Sequence, residues 1–309
     1  MNSLPIHLSI IICTKDRPKE IQKLLSTIQR QTKLPNDLIV VDGSDHPIES
    51  VLDEFQTLPI RYVQVRPPSL PKQRNVGISM LQEHADWIGF LDDDLVLHPK
   101  NFKEIEEFIQ NYQDETPLAG VGLNIKNSLP SNRSKLRDLF LLDAPIGGIF
   151  TRSGCPTALS KVQKTQKVDW LSGGNSFWQK KILKEFAFDE WFSGTGYHED
   201  VDFSYRVSRK YSLYYLVKSG CIHLDHPVSK TKAPGYGTWQ ITAWWYFTHK
   251  DKSFCALLVL WSMLGLFINN FIGGIVKPSS YRMLQSMGNL RGFFYIITGR
   301  ALIKRTFHK

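Results

Sequence analysis

The sequence predicts an α/β fold: a mostly parallel sheet flanked by helices, followed by a helical C-terminal segment that associates with a membrane. Short apolar runs rich in β-branched residues recur along the first hundred residues, and helical patterns separate them. An uncharged run at 254–276, long enough to span a bilayer core, predicts the C-terminal segment. We therefore divide the chain into a main domain (1–242) and a basic, apolar membrane-associated region (243–309).

The N-terminal elements alternate between strand and helix. LSIIIC (8–13) predicts a first buried strand, and EIQKLLSTIQRQ after it carries apolar residues at helical spacing. DLIVVDGSD (37–45) predicts a second strand that ends in a turn, and RYVQV (61–65) a third. Alternation of this kind favours parallel strands joined by helical crossovers.

The fourth strand gives the first indication of a site. PKQRNVGISMLQEH (71–84) predicts a helix, and DWIGFLDDD (86–94) a strand that ends in three aspartates. Ligands of parallel sheets bind at the carboxyl ends of the strands. Thr14, Asp42 and the three aspartates all follow strands, so we expect them at one edge of the sheet.

The second half of the main domain is less regular. Residues 125–165 contain Gly and Pro but little periodicity, and we predict an excursion near the site. VDWLSGGNSFW (168–178) predicts a strand that ends in a Gly-rich turn, and KKILKEFAF a short helix. The loop DEWFSGTGYHED then leads into a helix, VDFSYRVSRK.

The cysteine content and the distribution of charge indicate the cellular location and the class of partner. Four widely spaced cysteines show no zinc spacing, and the N-terminus lacks the pattern of a signal peptide, so we expect a reduced, cytoplasmic location. From residue 243 onward there are nine Lys/Arg and one Asp, whereas the rest is near neutral. A basic tail beside an apolar run favours an anionic membrane surface over nucleic acid as the partner.

The run 254–276 allows more than one interpretation. Basic residues at both ends conflict with a single simple crossing, and Asn269, Asn270, Gly273 and Gly274 interrupt the run. We predict a helical pair that lies in, or dips into, the cytoplasmic leaflet, helped by RGFFYIITGRALIKR (291–305). A buried core helix is the alternative.

Asp92, Asp93 and Asp94 indicate a cation site. Mg²⁺ and Mn²⁺ prefer oxygen ligands and are often completed by substrate phosphates. Val96 and Leu97 stand where an EF-hand would need further ligands and a glycine. A helix or turn cap formed by Asp94 near His98 is the structural alternative; His98 itself receives no role.

The stretch GTGYHEDVDFSYR (194–206) indicates a general base. Acidic residues crowd the start of a predicted helix, where the helix dipole favours negative charge. A carboxylate there could take the proton of an incoming hydroxyl, or it could serve as an acidic cap alone. Gly194-x-Gly196 follows no strand, so it is not a dinucleotide fingerprint.

Two further stretches offer ligand-binding groups. In WLSGGNSFW, glycines permit close approach of the backbone and an asparagine offers a donor and an acceptor, although an ordinary turn between core tryptophans has the same pattern. In CIHLDHP (221–227), His223 and His226 follow another strand. Either histidine could be a third metal ligand or a plain loop residue.

Four motifs in one order, ICTKDRP, IVVDGSD, KQRNVGI with FLDDD, and GGN followed by HEDVDFSYR, resemble an inverting family 2 glycosyltransferase of the GT-A fold. The resemblance covers about residues 8–226 and makes the main domain the catalytic one. It implies a nucleotide-diphosphate sugar donor, with UDP- or dTDP-sugars favoured, and a glycan or lipid-linked acceptor. It also implies Mn²⁺ or Mg²⁺. The basic, apolar tail adds the expected location, which is the inner face of the cell membrane, as a peripheral or monotopic protein.

The resemblance also implies roles for individual residues. Asp200 matches the catalytic base, and Glu199 beside it holds the acceptor. Asp94 and Asp92 match the metal ligands of the DxD motif, with His223 as a candidate third. The residues expected to bind the donor nucleotide are Thr14, Asp16, Arg17, Asp42 (at the base), Arg74 and Asp93 (at the ribose). The residues expected to bind the acceptor and the sugar are Trp170, Gly173, Gly174, Asn175 and His198.

The chain departs from the family pattern at points that limit which activities are expected. The chain lacks the QxxRW signature of processive synthases, although GYGTWQ (235–240) lies in a comparable region, so we expect transfer of one sugar. A sugar nucleotidyltransferase is a second hypothesis, but TKDRPKE after the first strand lacks the expected Gly-rich loop. A membrane-bound nucleotide- or glycan-binding module without catalysis is a third.

Overall fold

The computed structural model describes residues 5–129, 133–194, 196–224, 230–278 and 281–303. The chain forms two compact units. The first unit consists of residues 1–129 and 162–224, and the second of residues 130–161 and 225–309. The predicted boundary between residues 242 and 243 lies inside a helix, Ala233–His249. The assignment of 1–242 to catalysis and 243–309 to a membrane stays a prediction.

All strands of the described residues belong to the first unit. They are β1 (Leu8–Thr14), β2 (Asp37–Asp42), β3 (Ile60–Gln64), β4 (Trp87–Asp92), β5 (Leu95–Leu97), β6 (Leu118–Ile125), β7 (Gln166–Val168), β8 (Asn175–Gln179) and β9 (Ser212–His223). The helices of the same unit are α1 (Pro18–Gln29), α2 (Glu49–Leu52), α3 (Leu70–Ser79), α4 (Asn101–Gln110), α6 (Lys180–Glu185) and α7 (Glu199–Ser208). The second unit holds α5 (Lys135–Leu139), α8 (Ala233–His249), α9 (Ala256–Val276) and α10 (Arg282–Ile297).

The strands form one mixed sheet in the order β3-β2-β1-β4-β8-β6-β9-β5, with β7 also paired to β9. The first four strands are parallel to one another, which confirms the predicted α/β fold. β8 runs antiparallel to β4 and β6, and β5 and β7 run antiparallel to β9. These antiparallel additions were not predicted, because β5 and β7 are too short to show a period.

Packing of apolar residues explains the N-terminal elements. Every residue of β2 is buried, as expected for a strand covered on both faces. On α1 the predicted stripe of Ile21, Leu24, Leu25 and Ile28 is buried. One prediction in this unit is wrong in detail. The Gly-Gly turn precedes strand β8 rather than ending it, because the strand starts only at Asn175.

Close helix packing builds the second unit. A side chain on Gly237 would overlap the carbonyl of Gln285, and one on Gly288 would overlap that of Pro234, so α8 and α10 approach closely. Asn270 Nδ2 donates to Asn289 Oδ1 at 2.9 Å, and Asn289 Nδ2 donates to the Gly237 carbonyl at 2.8 Å. This buried bond network joins α8, α9 and α10.

Helix α9 is unbroken, so the predicted interruption at Asn269–Gly274 is wrong. Asn270 and Gly274 do not break the helix because both are buried where α9 packs within the unit. Among the described residues, α9 is the one helix whose length and mean hydropathy of 1.8 would permit a membrane crossing, and 28% of that apolar window is buried.

Candidate active site

Strand register brings the predicted acidic and polar residues to one edge of the sheet. Thr14 at the end of β1 pairs with Asp42 at the end of β2, and Cys13 pairs with Asp92 at the end of β4. Gln73 on α3 fixes this edge from above, because its Nε2 donates to the carbonyls of Thr14 (3.1 Å) and Val41 (2.9 Å). The predicted common edge is confirmed.

The three aspartates after β4 have different partners. Thr14 Oγ1 donates to Asp93 at 2.7 Å, and the Arg17 guanidinium donates to Asp93 at 2.9 Å and to Asp94 at 2.8 Å. Burial raises the pKa of Asp93 to about 6, against the opposing effects of Thr14 and Arg17. Asp92 is the most accessible of the three, with 39% of its side chain exposed. Asp93 and Asp94 are therefore held by hydrogen bonds within the protein, whereas the Asp92 carboxylate is accessible to a ligand.

Asp92, Asp94 and His223 form a group that could hold a metal ion. Each offers one ligand atom, and these atoms lie within 4.8 Å of one another. His223 is placed by its pairing with Leu95 across β5 and β9, and its Nε2 lies 3.2 Å from Asp94 Oδ1. Asn127 fixes the main chain of His223 by bonds of 2.7 and 3.0 Å to its carbonyl and N–H.

The donor chemistry of this group fits the expected cation. Two carboxylates are suitable ligands for Mg²⁺ or Mn²⁺, and an imidazole nitrogen adds preference for the transition metal. The set has three protein ligands, which leaves coordination positions for phosphate oxygens or water. The predicted inclusion of His223 agrees with this geometry. His226, the other candidate, lies outside the described residues.

The Gly173-Gly174 turn brings three functional groups together. The Asp92 N–H donates to the Gly174 carbonyl at 2.8 Å, and a side chain on Gly174 would overlap the Asp92 carboxylate. A side chain on Gly173 would overlap the Arg74 guanidinium. The Gly173 N–H donates to Asp200 Oδ2 at 3.0 Å. Only glycine at positions 173 and 174 leaves room for the turn to lie against Asp92, Arg74 and the start of α7 at the same time.

Arg74 is a buried cation with a carboxylate partner. Its side chain is 3% exposed, and it donates through NH1 to Glu199, whose side chain is 4% exposed. The rings of Phe90 and Phe188 lie 5.8 and 5.2 Å from the guanidinium carbon. Burial raises the pKa of Glu199, although the Arg74 charge opposes this. Glu199 is therefore engaged with Arg74, and its predicted role in holding the acceptor stays a prediction.

Asp200 sits in the first turn of α7 as predicted. Its two oxygens accept from the N–H groups of Gly173 (3.0 Å) and Val201 (2.8 Å). Burial raises the pKa of Asp200 above its ordinary value, although these hydrogen bonds oppose the shift. A base of raised pKa is a better proton acceptor.

His198 forms the N-cap of α7 in the left-handed region, with a φ of 76°. Burial lowers its pKa to about 4, so the imidazole is neutral near pH 7. Its ring stacks on Tyr197 at 4.8 Å. The geometry turns the chain sharply into α7 directly before Glu199 and Asp200.

The remaining predicted residues have mainly internal contacts. Asp42 is fully buried and accepts from Ser44 N–H, Ile48 N–H and the Tyr62 hydroxyl at 2.8, 3.2 and 2.8 Å. Asp16 is exposed, and its carboxylate accepts from the Asp45 N–H and pairs with Lys15. Their nucleotide-binding roles stay predictions.

Asn175 and Trp170 complete the predicted acceptor set. Asn175 is buried in β8 beside Leu91 and donates to the Leu123 carbonyl at 2.6 Å. Trp170 is half-buried, and Leu171 and Ser172 separate it from the Gly-Gly turn. Sequence reasoning did not single out Gln73, Asn127, Phe90 or Phe188. Only Gln73, inside the quoted KQRNVGI motif, carried a signal that could have identified it.

Comparison with known proteins identifies the class. Residues 9–186, more than half of the chain, match glycosyl transferase family 2. The chain therefore belongs to this family and is a glycosyltransferase, which confirms the resemblance drawn from its motifs. The family match disfavours the nucleotidyltransferase and non-catalytic alternatives. No curated protein sequence matches the chain.

Solved structures share the fold at low sequence identity. The mannosyltransferase PcManGT from Pyrobaculum calidifontis, in complex with GDP-Man and Mn²⁺, is 11% identical, with 97% of this chain and 90% of that one covered and a TM-score of 0.57. S. aureus TarS 1–349 with UDP-GlcNAc is 17% identical, with 96% and 84% covered and a TM-score of 0.51. Glucosyl-3-phosphoglycerate synthase from Mycobacterium tuberculosis, with Mn²⁺, UDP-Glc and phosphoglyceric acid, is 15% identical, with 74% and 75% covered and a TM-score of 0.50. Identities this low show the GT-A fold alone.

Proposed function

We propose that this glycosyltransferase moves one sugar from a nucleotide-diphosphate sugar to an acceptor hydroxyl, with inversion and with Mn²⁺ or Mg²⁺. The single observation that carries the proposal is the Gly173-Gly174 turn. Within two residues it contacts the accessible carboxylate Asp92, the buried cation Arg74 and the carboxylate Asp200. One carboxylate then serves the cation and the other serves the acceptor.

The donor binds along the edge formed by β1, β2 and β4. Asp92, Asp94 and His223 would hold the metal, which when bound neutralises charge on the diphosphate. The structures of similar fold support a nucleotide-sugar donor, because they contain UDP-GlcNAc, UDP-Glc or GDP-Man. Arg17 and Arg74 supply positive charge beside the acidic group. UDP- and dTDP-sugars remain the favoured donors.

The nucleoside is assigned to the predicted residues Thr14, Asp16, Asp42 and Asp93. Asp42 is assigned to the base N–H by the resemblance, and hydrogen bonds from Ser44, Ile48 and Tyr62 hold its carboxylate in place at the end of β2. Asp93 is fixed by Thr14 and Arg17, which would orient it for the ribose. These contacts prearrange the site before the donor arrives.

Asp200 accepts the proton of the acceptor hydroxyl. As the acceptor oxygen bonds to the anomeric carbon, the bond from that carbon to the diphosphate breaks on the opposite face, and the configuration inverts. The hydrogen bonds from Gly173 and Val201 hold the carboxylate in one orientation while it receives the proton. Positioning of this kind supports proton transfer without any movement of the base.

The acceptor is a glycan or a lipid-linked sugar, and the enzyme works at the inner face of the cell membrane in the assembly of surface polysaccharide or glycolipid. The basic, apolar composition of residues 243–309 supports this location. The resemblance assigns Trp170, Gly173, Gly174, Asn175 and His198 to the acceptor side, and among them Gly173 and His198 adjoin the start of α7. An acceptor at a membrane would also explain why so much exposed apolar surface is retained.

A screen of nucleotide sugars with Mn²⁺, scored by the nucleotide diphosphate released, tests the proposal. We expect slow hydrolysis of one donor class without acceptor, and its loss after chelation with EDTA. Asp94→Asn should show the same loss, while Asp45→Asn, an exposed carboxylate outside the metal group, should not. The proposal would be refuted if no donor released nucleotide and no donor raised the unfolding temperature of the protein.

A further inference from the structure

Two helices of the second unit expose continuous apolar stripes. Residues three and four apart lie on one face of a helix, and the exposed large apolar residues follow this spacing. On α9 they are Leu257, Trp261, Leu264, Phe271, Ile272, Ile275 and Val276; on α10 they are Met287, Leu290, Phe294 and Ile297. Soluble domains rarely keep apolar patches of this extent without a partner.

The opposite faces of both helices are packed inside the unit. Val259, Met263 and Asn270 are buried on α9, and Ser286 and Asn289 on α10. The hydrogen bonds from Asn270 to Asn289, and from Asn289 to the Gly237 carbonyl, hold these faces together. The exposed stripes are therefore not the surfaces through which α9 and α10 contact each other.

A distant segment of the chain joins the stripe on α9. Trp261 Nε1 donates to the Leu139 carbonyl at 2.9 Å, and the Phe140 ring packs on the Trp261 ring at 4.6 Å. Leu139 itself is 61% exposed, and Ile146 further along is 55% exposed. Leu139 and Phe140 of the excursion thus lie beside α9, and Ile146 is a further exposed apolar residue of the same excursion.

Charge selects the partner for these surfaces. The sequences of α9 and α10 contain no Asp or Glu, whereas Lys277 directly follows α9 and Arg282 is the first residue of α10. Arg291 lies in the middle of α10, where its Nε donates to the Tyr295 hydroxyl at 2.8 Å. Basic side chains beside an apolar face fit anionic lipid headgroups above acyl chains.

We propose that the apolar face, formed by the two stripes with Leu139 and Ile146, lies in the headgroup and upper acyl region of an anionic membrane, with α9 parallel to its plane. This inference deepens the membrane location given under the proposed function and rests on it. A crossing of the bilayer by α9 is disfavoured, because α10 packs along α9 and would carry Arg291 into the hydrocarbon.

Vesicle flotation of the full chain tests the proposal. We expect binding to phosphatidylcholine vesicles that contain phosphatidylglycerol, weaker binding to phosphatidylcholine alone, and weakening by salt. Leu139→Glu with Ile146→Glu should reduce the partition constant by at least about tenfold, because two apolar side chains that would enter the membrane are replaced by charged ones. Leu264→Glu with Ile275→Glu should do the same. Leu34→Glu, an exposed leucine of the first unit, is the matched control and should bind like the wild type.

Trp261 supplies a second readout that does not depend on glutamate variants. Brominated acyl chains should quench part of the tryptophan fluorescence of the bound protein, and Trp261→Phe should remove a measurable share of that quenching. Quenching unaffected by Trp261→Phe would overturn the placement of α9. Wild-type binding by the Leu139 and Ile146 variant would overturn the inclusion of the excursion.

Two further outcomes separate this inference from the catalytic proposal. A stable dimer in light scattering, with no vesicle binding, would assign the apolar face to a second copy of the chain and overturn the inference. Nucleotide release from the donor is measured on the same samples. If no sample, including the wild type, released nucleotide while vesicle binding was intact, the catalytic proposal would be refuted and the membrane face would still be supported.

Discussion

Replacement of Glu199 by Gln tests the electrostatic centre of the site. Glu199→Gln keeps the shape of the side chain but leaves the Arg74 guanidinium without its hydrogen-bonded carboxylate. The nearest other carboxylate is Asp92, at 3.8 Å. Arginine cannot lose its proton to escape burial. We therefore expect a loss of about 3–5 kcal/mol in the free energy of unfolding, as for other broken buried ion pairs.

The reverse replacement should cost less than Glu199→Gln. In Arg74→Met the remaining Glu199 carboxyl becomes neutral by binding a proton, because burial already raises its pKa. Combining the two replacements leaves no buried charge at the pair, so the double variant should be more stable than the sum of the single losses implies. The assay is urea unfolding, followed by tryptophan fluorescence, with variants compared at a common urea concentration.

Glu107→Gln is the matched control for this cycle. Glu107 pairs with Lys103 at 3.7 Å on the exposed face of α4, and exposed pairs of this kind contribute little to stability. It should unfold like the wild type. Wild-type stability in Glu199→Gln, or strictly additive losses in the double variant, would refute the assignment of Arg74 and Glu199 as an electrostatic pair.

Three other predictions follow from the same structure. His198→Asn keeps a residue that tolerates the left-handed backbone. Because burial lowers the pKa of His198 from 6.5 to about 4, the wild type should lose stability as pH falls through that window, and the variant should lose less. The measurement is the urea midpoint of unfolding at a series of pH values. The same dependence of the midpoint on pH in both proteins would contradict this prediction. His223→Ala and Asp92→Asn should each weaken binding of Mn²⁺ alone by at least about tenfold in calorimetry, with Asn127→Ala giving a smaller loss; unchanged affinity would remove them from the metal group. Truncation after residue 242 cuts α8 and strips Phe140 and Ser153 of their contacts with Trp261 and Trp244, so it should reduce solubility; a monodisperse product would contradict the second unit as described.

The sequence predicted those features that depend on local pattern and strand order. β1 to β4, α1 and the common edge of Thr14, Asp42 and Asp92 follow from apolar periodicity and from the geometry of parallel strands. The partners of the three aspartates did not follow. Arg17 reaches Asp93 and Asp94 across more than seventy residues, and no local pattern records such a contact.

Tertiary packing also decided how the C-terminal helices are built. Asn270 and Gly274 indicated an interruption because a polar or small residue in an apolar run has no obvious partner in sequence. In the structure Asn270 bonds to Asn289 on α10, which removes the reason for a break. The excursion at 125–165 was unreadable for a similar cause, since Phe140 finds its partner Trp261 far along the chain.

We propose that Asp200 is the proton acceptor of a metal-dependent sugar transfer. The most direct test compares Asp200→Asn with the wild type in donor binding, by calorimetry with Mn²⁺, and in transfer to an acceptor. We expect donor affinity to be retained and the transfer rate to fall by about 10²–10⁴, the usual contribution of a general base. Transfer by Asp200→Asn at the wild-type rate would contradict the claim.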